Sequence, residues 1–242
     1  MRIDFVTIFP DLFTGILGTG LIRHAREKGL LDVRVHDLRD YTSDRHRTVD
    51  DVPYGGGPGM VFKPEPLFLA VEALKEAAGT VVLPTPQGIL FTQKLAEELA
   101  GCSQILFLCA RYEGVDERVC DALVDREISI GDFVTMGGEL PSLLMMEVIV
   151  RFVAGVVGDQ DSIASDSFQQ SLLDFPHYTR PDAFRGLNVP PVLLSGNHEQ
   201  IRKWRRKMAL MRTRQRRPGL LEHACLTSED EEMLREILKD LK

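Results

Sequence analysis

Three short segments mix glycine and proline with few bulky side chains. They are Pro84-Thr85-Pro86-Gln87-Gly88, Ala110-Arg111-Tyr112-Glu113-Gly114, and the run from Ser129 to Pro141, SIGDFVTMGGELP. Such segments let backbone N–H and C=O groups approach a ligand closely. A ligand with an adenine edge and hydroxyls suits walls of that kind. A fourth glycine cluster, Tyr54 to Gly59, follows Asp50 and Asp51. Two phosphate-loop readings fail. The chain has no GxxxxGK[ST] and no GxGxxG directly after a first strand.

A second chemistry is written in charge. From His198 to Pro218 the cations are Arg202, Lys203, Arg205, Arg206, Lys207, Arg212, Arg214, Arg216 and Arg217, against the single acid Glu199. The chain as a whole carries −7. A basic block inside an acidic chain points to a polyanionic partner. Ile201, Trp204, Met208 and Met211 recur at helical spacing, so a helix docked by that stripe would turn Arg202, Lys203, Arg205, Arg206 and Lys207 toward phosphates. Acids at i,i+4 are too few to neutralise the block. Trp204 reads as a core anchor of this helix rather than a stacking platform.

Metal and thiol chemistry find little support. Cys102, Cys109, Cys120 and Cys225 show neither zinc spacing nor a disulfide framework, and read as buried free thiols. The six histidines show no ligand spacing, and His46, in DRHRT, is the one placed near a nucleic acid.

The elements that must carry these groups alternate. Ile3–Phe9, Val33–Leu38, Thr80–Pro84, Ile105–Ala110 and Glu127–Ile130 read as strands. Gly20–Lys28, Pro66–Ala77, Thr92–Leu99, Asp116–Asp125 and Pro141–Val153 read as helices. That order predicts an α/β domain with a largely parallel sheet, and the apolar run Leu106–Ala110 predicts its central strand. The three loops then lie at strand ends, where α/β domains bind ligands. Asp159–Gln170 is polar and rich in Ser and Asp, as a linker or mobile loop would be. Asn188–Leu194 reads as a proline-bearing extended piece, and Thr227–Leu241 as a capped terminal helix.

A chain of 242 residues with 44% hydrophobic and 27% charged residues is long enough to build its core without staples. Its most apolar stretch, Leu143–Val157, is broken by Glu147 and Arg151 and is too short to span a bilayer. Asp4 interrupts any secretory pattern, so the expected compartment is the cytoplasm.

Four ordered motifs carry a resemblance. RTVDDVPYGGGPGM (47–60), RYEGVDER (111–118), SIGDFVTMGGELP (129–141), and DFPHYTRP (174–181) followed by VPPVLLSGNHEQIRKWR (189–205) strongly resemble the bacterial tRNA (guanine-N1)-methyltransferase family, of TrmD type within the SPOUT superfamily. The resemblance runs over essentially the whole chain. It implies an α/β SPOUT-type domain over 1–160, with a deep trefoil knot at about 83–141. It also implies a flexible linker or lid at 161–170 and a small helical tRNA-binding domain at 171–242. It implies a homodimer with shared active sites, S-adenosyl-L-methionine as methyl donor, and tRNA carrying guanine at position 37 as substrate. Magnesium is implied to assist, without a ligand set legible here.

The same resemblance assigns residues. Asp166, in SDSF, matches the general base, and Arg151, in VIVRFVAGVVG, matches an arginine near the target guanine. Asp50 matches an acid used in guanine recognition. Donor contacts fall to Pro84, Thr85, Pro86 and Gly88; to Ala110, Tyr112, Glu113 and Gly114; and to Ser129, Ile130, Gly131, Asp132, Phe133, Val134, Thr135, Gly137, Gly138 and Pro141. The family pattern has glycine where this chain has Ala110, and arginine where it has Val52. Guanine N1 keeps its proton at neutral pH, so a carboxylate that takes it is worth about 10²–10⁴ in rate. A guanidinium would then stabilise charge developing on O6. Read from the residues alone, Asp166 is a solvated loop acid, Arg151 an ion-paired buried cation, and Asp50 a turn or cap residue.

Overall fold

The structure is a computed structural model that describes residues 1–158 and 166–240. The expected linker at 161–170 falls largely on residues 159–165, which lie outside the described residues, as does the 160/161 boundary. The described residues up to Gly158 form one compact unit, and those from Asp166 onward form another.

The first unit is a five-stranded sheet, every pairing parallel. Its strands are β1 (Arg2–Thr7), β2 (Asp32–Asp37), β5 (Gly79–Leu90), β6 (Gln104–Leu108) and β7 (Arg126–Ser129), in the order β2-β1-β6-β5-β7. The helices are α1 (Thr14–Leu17), α2 (Gly20–Glu27), α3 (Pro64–Leu74), α4 (Gln93–Ala100), α5 (Glu117–Leu123) and α6 (Glu139–Val150). The strands and helices expected from the pattern are all present, with ends displaced by a few residues. Two short strands, β3 (Asp50–Asp51) and β4 (Val61–Phe62), pair antiparallel beside the sheet.

The sheet is buried on both faces because side chains alternate along each strand. Ile105 and Phe107 of β6 enter one core with Phe5, Phe13, Met145 and Ile149. Leu106 and Leu108 enter the other with Leu67, Val71 and Val119. Phe5 stacks on Phe107 at 5.2 Å and meets Phe13 at 4.7 Å. Among the described residues no helix is long and apolar enough to cross a membrane.

β5 runs on well past the expected Pro84. Its register against β7 shifts between Pro84 and Ile89, so residues 85–88 bow out of the ladder and return. Gly88 permits the return. A Cβ there would sit 2.3 Å from the backbone nitrogen of Ile128.

The second unit contains a hairpin of β8 (Ala183–Phe184) and β9 (Leu187–Asn188), a helical turn α7 (Pro191–Leu194), and the helices α8 (His198–Arg216) and α9 (Ser228–Asp240). Asn188–Leu194 is therefore not one extended piece. Proline at the first helical position pre-sets φ and starts the turn. The expected helical stripe on α8 also needs correction. Ile201, Trp204, Met208 and Met211 are only half-buried, and the deepest side chains are Ala209, Leu210 and Thr213. Leu210 packs with Leu172 and Ile237. The Thr213 hydroxyl donates to the Ala209 carbonyl at 2.7 Å and accepts from the Leu173 N–H at 2.8 Å. Trp204 instead faces the Tyr178 ring at 6.4 Å. The helix is covered on two sides, so the more polar of its two stripes can also be interior.

The cysteines divide as well. Cys109 is buried, Cys102 and Cys120 are half-buried, and Cys225 is exposed. A general expectation of buried thiols holds for Cys109 and fails for Cys225, which sits in the segment leading to α9.

Candidate active site

At the carboxyl ends of β6 and β7, beside the bowed segment of β5, a cavity of about 300 Å³ opens. That is at the small end of the range for ligand pockets. Its walls are the three loops singled out by their composition. Every expected donor-contact residue lines it except Gly88, Gly131 and Asp132. Gly88 serves the strand crossing described above. Gly131 sits at φ +145°, and a Cβ there would fall 2.5 Å from the Phe133 ring, so this glycine lets the ring fold over the turn.

Local geometry explains the loop composition. Tyr112 adopts φ +59° and Gly114 φ +109°, and together they reverse the chain after β6. The Gly114 N–H closes the turn on the Arg111 carbonyl at 3.0 Å. Gly138 lies flat on the backbone of Cys109 and Ala110, just past the end of β6. Its N–H donates to the Ala110 carbonyl at 2.7 Å, and a Cβ would come 3.0 Å from Cys109 Cα. Ala110 stays out of the left-handed region, so its methyl group is tolerated where the family pattern has glycine.

The glycine cluster at 55–59 is tied to the same place. The Glu113 N–H donates to the Met60 carbonyl, the Phe62 N–H to the Gly114 carbonyl, and the Asp116 N–H to the Phe62 carbonyl, each at 3.0 Å. The Phe62 and Tyr112 rings meet edge-on at 6.0 Å. Asp50 pairs with Phe62 across β3 and β4, and Phe62 in turn bonds Gly114 of the cavity wall, while Asp50 itself is not among the lining residues. Val52 and Tyr54 are exposed there, at 70% and 100%. His46 is exposed on the turn before β3, with its N–H bonded to the Asp44 carboxylate at 2.9 Å.

Three side chains that sequence reasoning left out hold this site. Glu139, the first residue of α6, is fully buried. The Thr7 hydroxyl donates to its Oε1 at 2.9 Å, and Arg111 Nε donates to both oxygens at 3.1 Å. The Arg111 guanidinium lies 4.4 Å above the Phe9 ring. An acid in the first turn of a helix is common, so nothing local marked Glu139 as interior. Glu117, Cys120 and Glu127 also line the cavity. The Cys120 thiol is pushed up to about 11 by burial and by the neighbouring Glu117, Glu127 and Asp121. Cys109 lies below the floor with its Sγ 3.3 Å from the Ser142 hydroxyl, and burial pushes its thiol far up. Neither thiol is a nucleophile at neutral pH.

Arg151 caps α6 at its C-terminal end and is half-buried. Asp166 belongs to the second unit. There it lines a groove of about 670 Å³ with Phe175, His198, Arg202, Arg205 and Arg206. Among the described residues no three His, Cys, Asp or Glu side chains converge as a metal site would require.

The basic helix is partly neutralised, mostly by acids outside it. Arg206 forms a two-pronged pair with Asp230 at 2.7 and 2.9 Å and also donates to Gln170. Lys207 bonds Glu236 at 2.8 Å. Arg202 reaches Glu229 at 3.7 Å, and Lys203 reaches Glu199 and Glu229. These acids lie mostly on α9. Arg205 is exposed, its guanidinium 4.9 Å above the Phe175 ring. Arg214 and Arg216 form no ion pair among the described residues.

A backbone-lined cavity at the carboxyl ends of parallel strands is the ligand site of an α/β domain, here joined in one chain to a cationic helical unit. The family described as tRNA (Guanine-1)-methyltransferase TrmD matches residues 1–223. A tRNA (guanine-N(1)-)-methyltransferase of Dictyoglomus turgidum is 53% identical over 242 residues, covering 100% of this chain and 98% of its own length. Those of Moorella thermoacetica and Brevibacillus brevis are 54% and 51% identical, over 98% and 100% of this chain and 96% and 100% of their own. The chain belongs to the tRNA (guanine-1)-methyltransferase family.

Proposed function

We propose that this protein transfers a methyl group from S-adenosyl-L-methionine to N1 of guanine 37 of tRNA, next to the anticodon. The observation that carries the reading is the cavity at the ends of β6 and β7, beside the bowed segment of β5, lined by the segments whose motifs match the family. Its walls offer backbone donors and acceptors to an adenine and a ribose. Its acids, Glu113, Glu117 and Glu127, suit a cationic sulfonium. In this reading the loops belong to a deep trefoil knot spanning about 83–141. Residues 1–160 form the catalytic domain, 161–170 the linker, and 171–242 the tRNA-gripping domain. A tRNA substrate places the work in the cytoplasm.

Asp166 takes the N1 proton as the sulfonium's methyl carbon bonds to N1, leaving S-adenosylhomocysteine. Arg151 offsets the charge that builds on O6. Asp50 reads the guanine, and His46 lies against the RNA backbone. Arg202, Lys203, Arg205, Arg206 and Lys207 make up the phosphate-facing helix, with the exposed Arg205 bearing most directly on phosphate. The active unit is a homodimer whose sites draw on both subunits. Leu12, Ile16, Leu21, Leu140 and Leu144 are apolar and 37–63% exposed, as an interface in waiting would be.

The test is methyl transfer from labelled donor to two tRNA transcripts, one with guanine and one with adenine at position 37. Label is expected in the first alone. Equal label in both, or in neither, overturns the reading. Asp166→Asn is expected to lower turnover at least 100-fold while tRNA affinity holds within about threefold.

A further inference from the structure

We infer that Glu139 is a positioning residue for the methyl donor, acting through Arg111 to fix how two neighbouring loops of the cavity wall sit against each other. The inference rests on the donor reading of that cavity.

Glu139 touches neither open solvent nor the cavity. It is fully buried, and it is absent from the lining. Both of its oxygens are nonetheless hydrogen-bonded. The Thr7 hydroxyl binds Oε1 from the end of β1, and Arg111 Nε binds both oxygens from the loop after β6. The carboxylate itself belongs to the start of α6. One buried charge thus joins three separate elements at the point where they meet. Arg111 does line the cavity, as do Gly137 and Gly138 just ahead of Glu139. Arg111 and Gly137 are also paired through their backbones.

The fit leaves no slack. A Cβ on Gly137 would lie 2.5 Å from Glu139 Oε2 and 2.6 Å from Arg111 Nε. Phe9 covers the outer face of the guanidinium at 4.4 Å. A carboxylate taken out of water needs such partners, and removing one leaves the other uncompensated. The energy favouring the pair therefore also favours one separation of the 110–114 loop and the 130–138 loop that leads into α6. Ligand-binding walls held in this way are pre-organised, and affinity falls when the support is loosened.

Donor affinity of the full-length protein, measured calorimetrically with S-adenosyl-L-methionine, tests the inference. Glu139→Gln is expected to weaken donor binding about tenfold or more. At saturating donor, turnover should stay within about threefold and tRNA affinity should not change. Thr7→Val leaves the ion pair and removes the hydroxyl's bond to Glu139 together with the one it accepts from the Phe9 N–H, so a smaller loss of about threefold is expected even if Glu139→Gln fails to fold. Glu139→Gln combined with Arg111→Gln should lose less than the two single losses multiplied, because both act through one contact. A lower melting temperature with donor affinity unmoved in Glu139→Gln and Thr7→Val would make Glu139 purely structural and overturn the inference. A wild-type protein that binds no donor would overturn the donor reading and this inference together.

Discussion

At the scale of single residues, the decisive features are close approaches that tolerate no extra atom and charges that must keep their partners. Gly137 is one such approach. Its φ suits any residue, so Gly137→Ala introduces no backbone strain and only wedges Glu139 from Arg111. We expect Gly137→Ala to raise the donor KM several-fold with turnover nearly intact, and steady-state kinetics at varied donor will show it. Asp230 is the corresponding charge in the second unit. Arg206 and the Thr227 cap hold its carboxyl down at about 2. Its value in the unfolded chain is about 3.9. The stabilisation, on the order of 2 kcal/mol, is therefore complete above pH 4 and is lost as the pH falls toward 2. Asp230→Asn should cost about 3 kcal/mol at neutral pH, since it strands the half-buried Arg206. It should also flatten the acid limb of a stability–pH curve.

At the scale of elements, α8 carries two kinds of cation, paired and exposed, that its sequence does not tell apart. Nine cations in one segment read as a single phosphate-binding face. The structure separates them. Arg206 and Lys207 are held by acids of α9, while Arg205 lies over Phe175 with its charge outward. Arg205→Ala should weaken tRNA binding and lower the slope of log affinity against log salt by about 1. Arg206→Ala should leave that slope nearly unchanged and lower the melting temperature instead. Filter binding across a salt series, beside a thermal melt, distinguishes the two. Equal slopes for both variants would mean that Arg206 releases Asp230 to meet RNA.

At the scale of the whole molecule, the chain forms two compact units, and under the proposed function their responses to ligand should differ. Donor at 100 times its Kd should stabilise the first unit by about 2.7 kcal/mol and leave the second unit's own transition in place. Calorimetric melts with and without donor will show one moving transition and one fixed. The proposed shared active site makes a stronger prediction. Neither Asp166→Asn nor Arg151→Ala should turn over alone, but co-expressed and mixed within one dimer they should regain up to about half of the wild-type activity per dimer if base and guanidinium come from different subunits. No recovery would place both groups on one chain.

Local patterns along the chain sufficed to read the alternation of strands and helices, the central position of β6, and the three segments that wall the cavity. Each is set by local rules: apolar period, strand-like runs bounded by turns, and small residues where the backbone must approach. Thr227 and Asp230 were readable as a helix start for the same reason, since capping joins residues three apart. Tertiary structure alone decided which charges are spent. Glu139 meets Thr7 across 132 residues and Arg111 across 28, and Arg206 meets Asp230 across 24. No periodicity reports a partner at such separations. A carboxylate at a helix start and an arginine in a basic run look solvated until folding removes the water, and then only the packing of distant segments settles what each one holds.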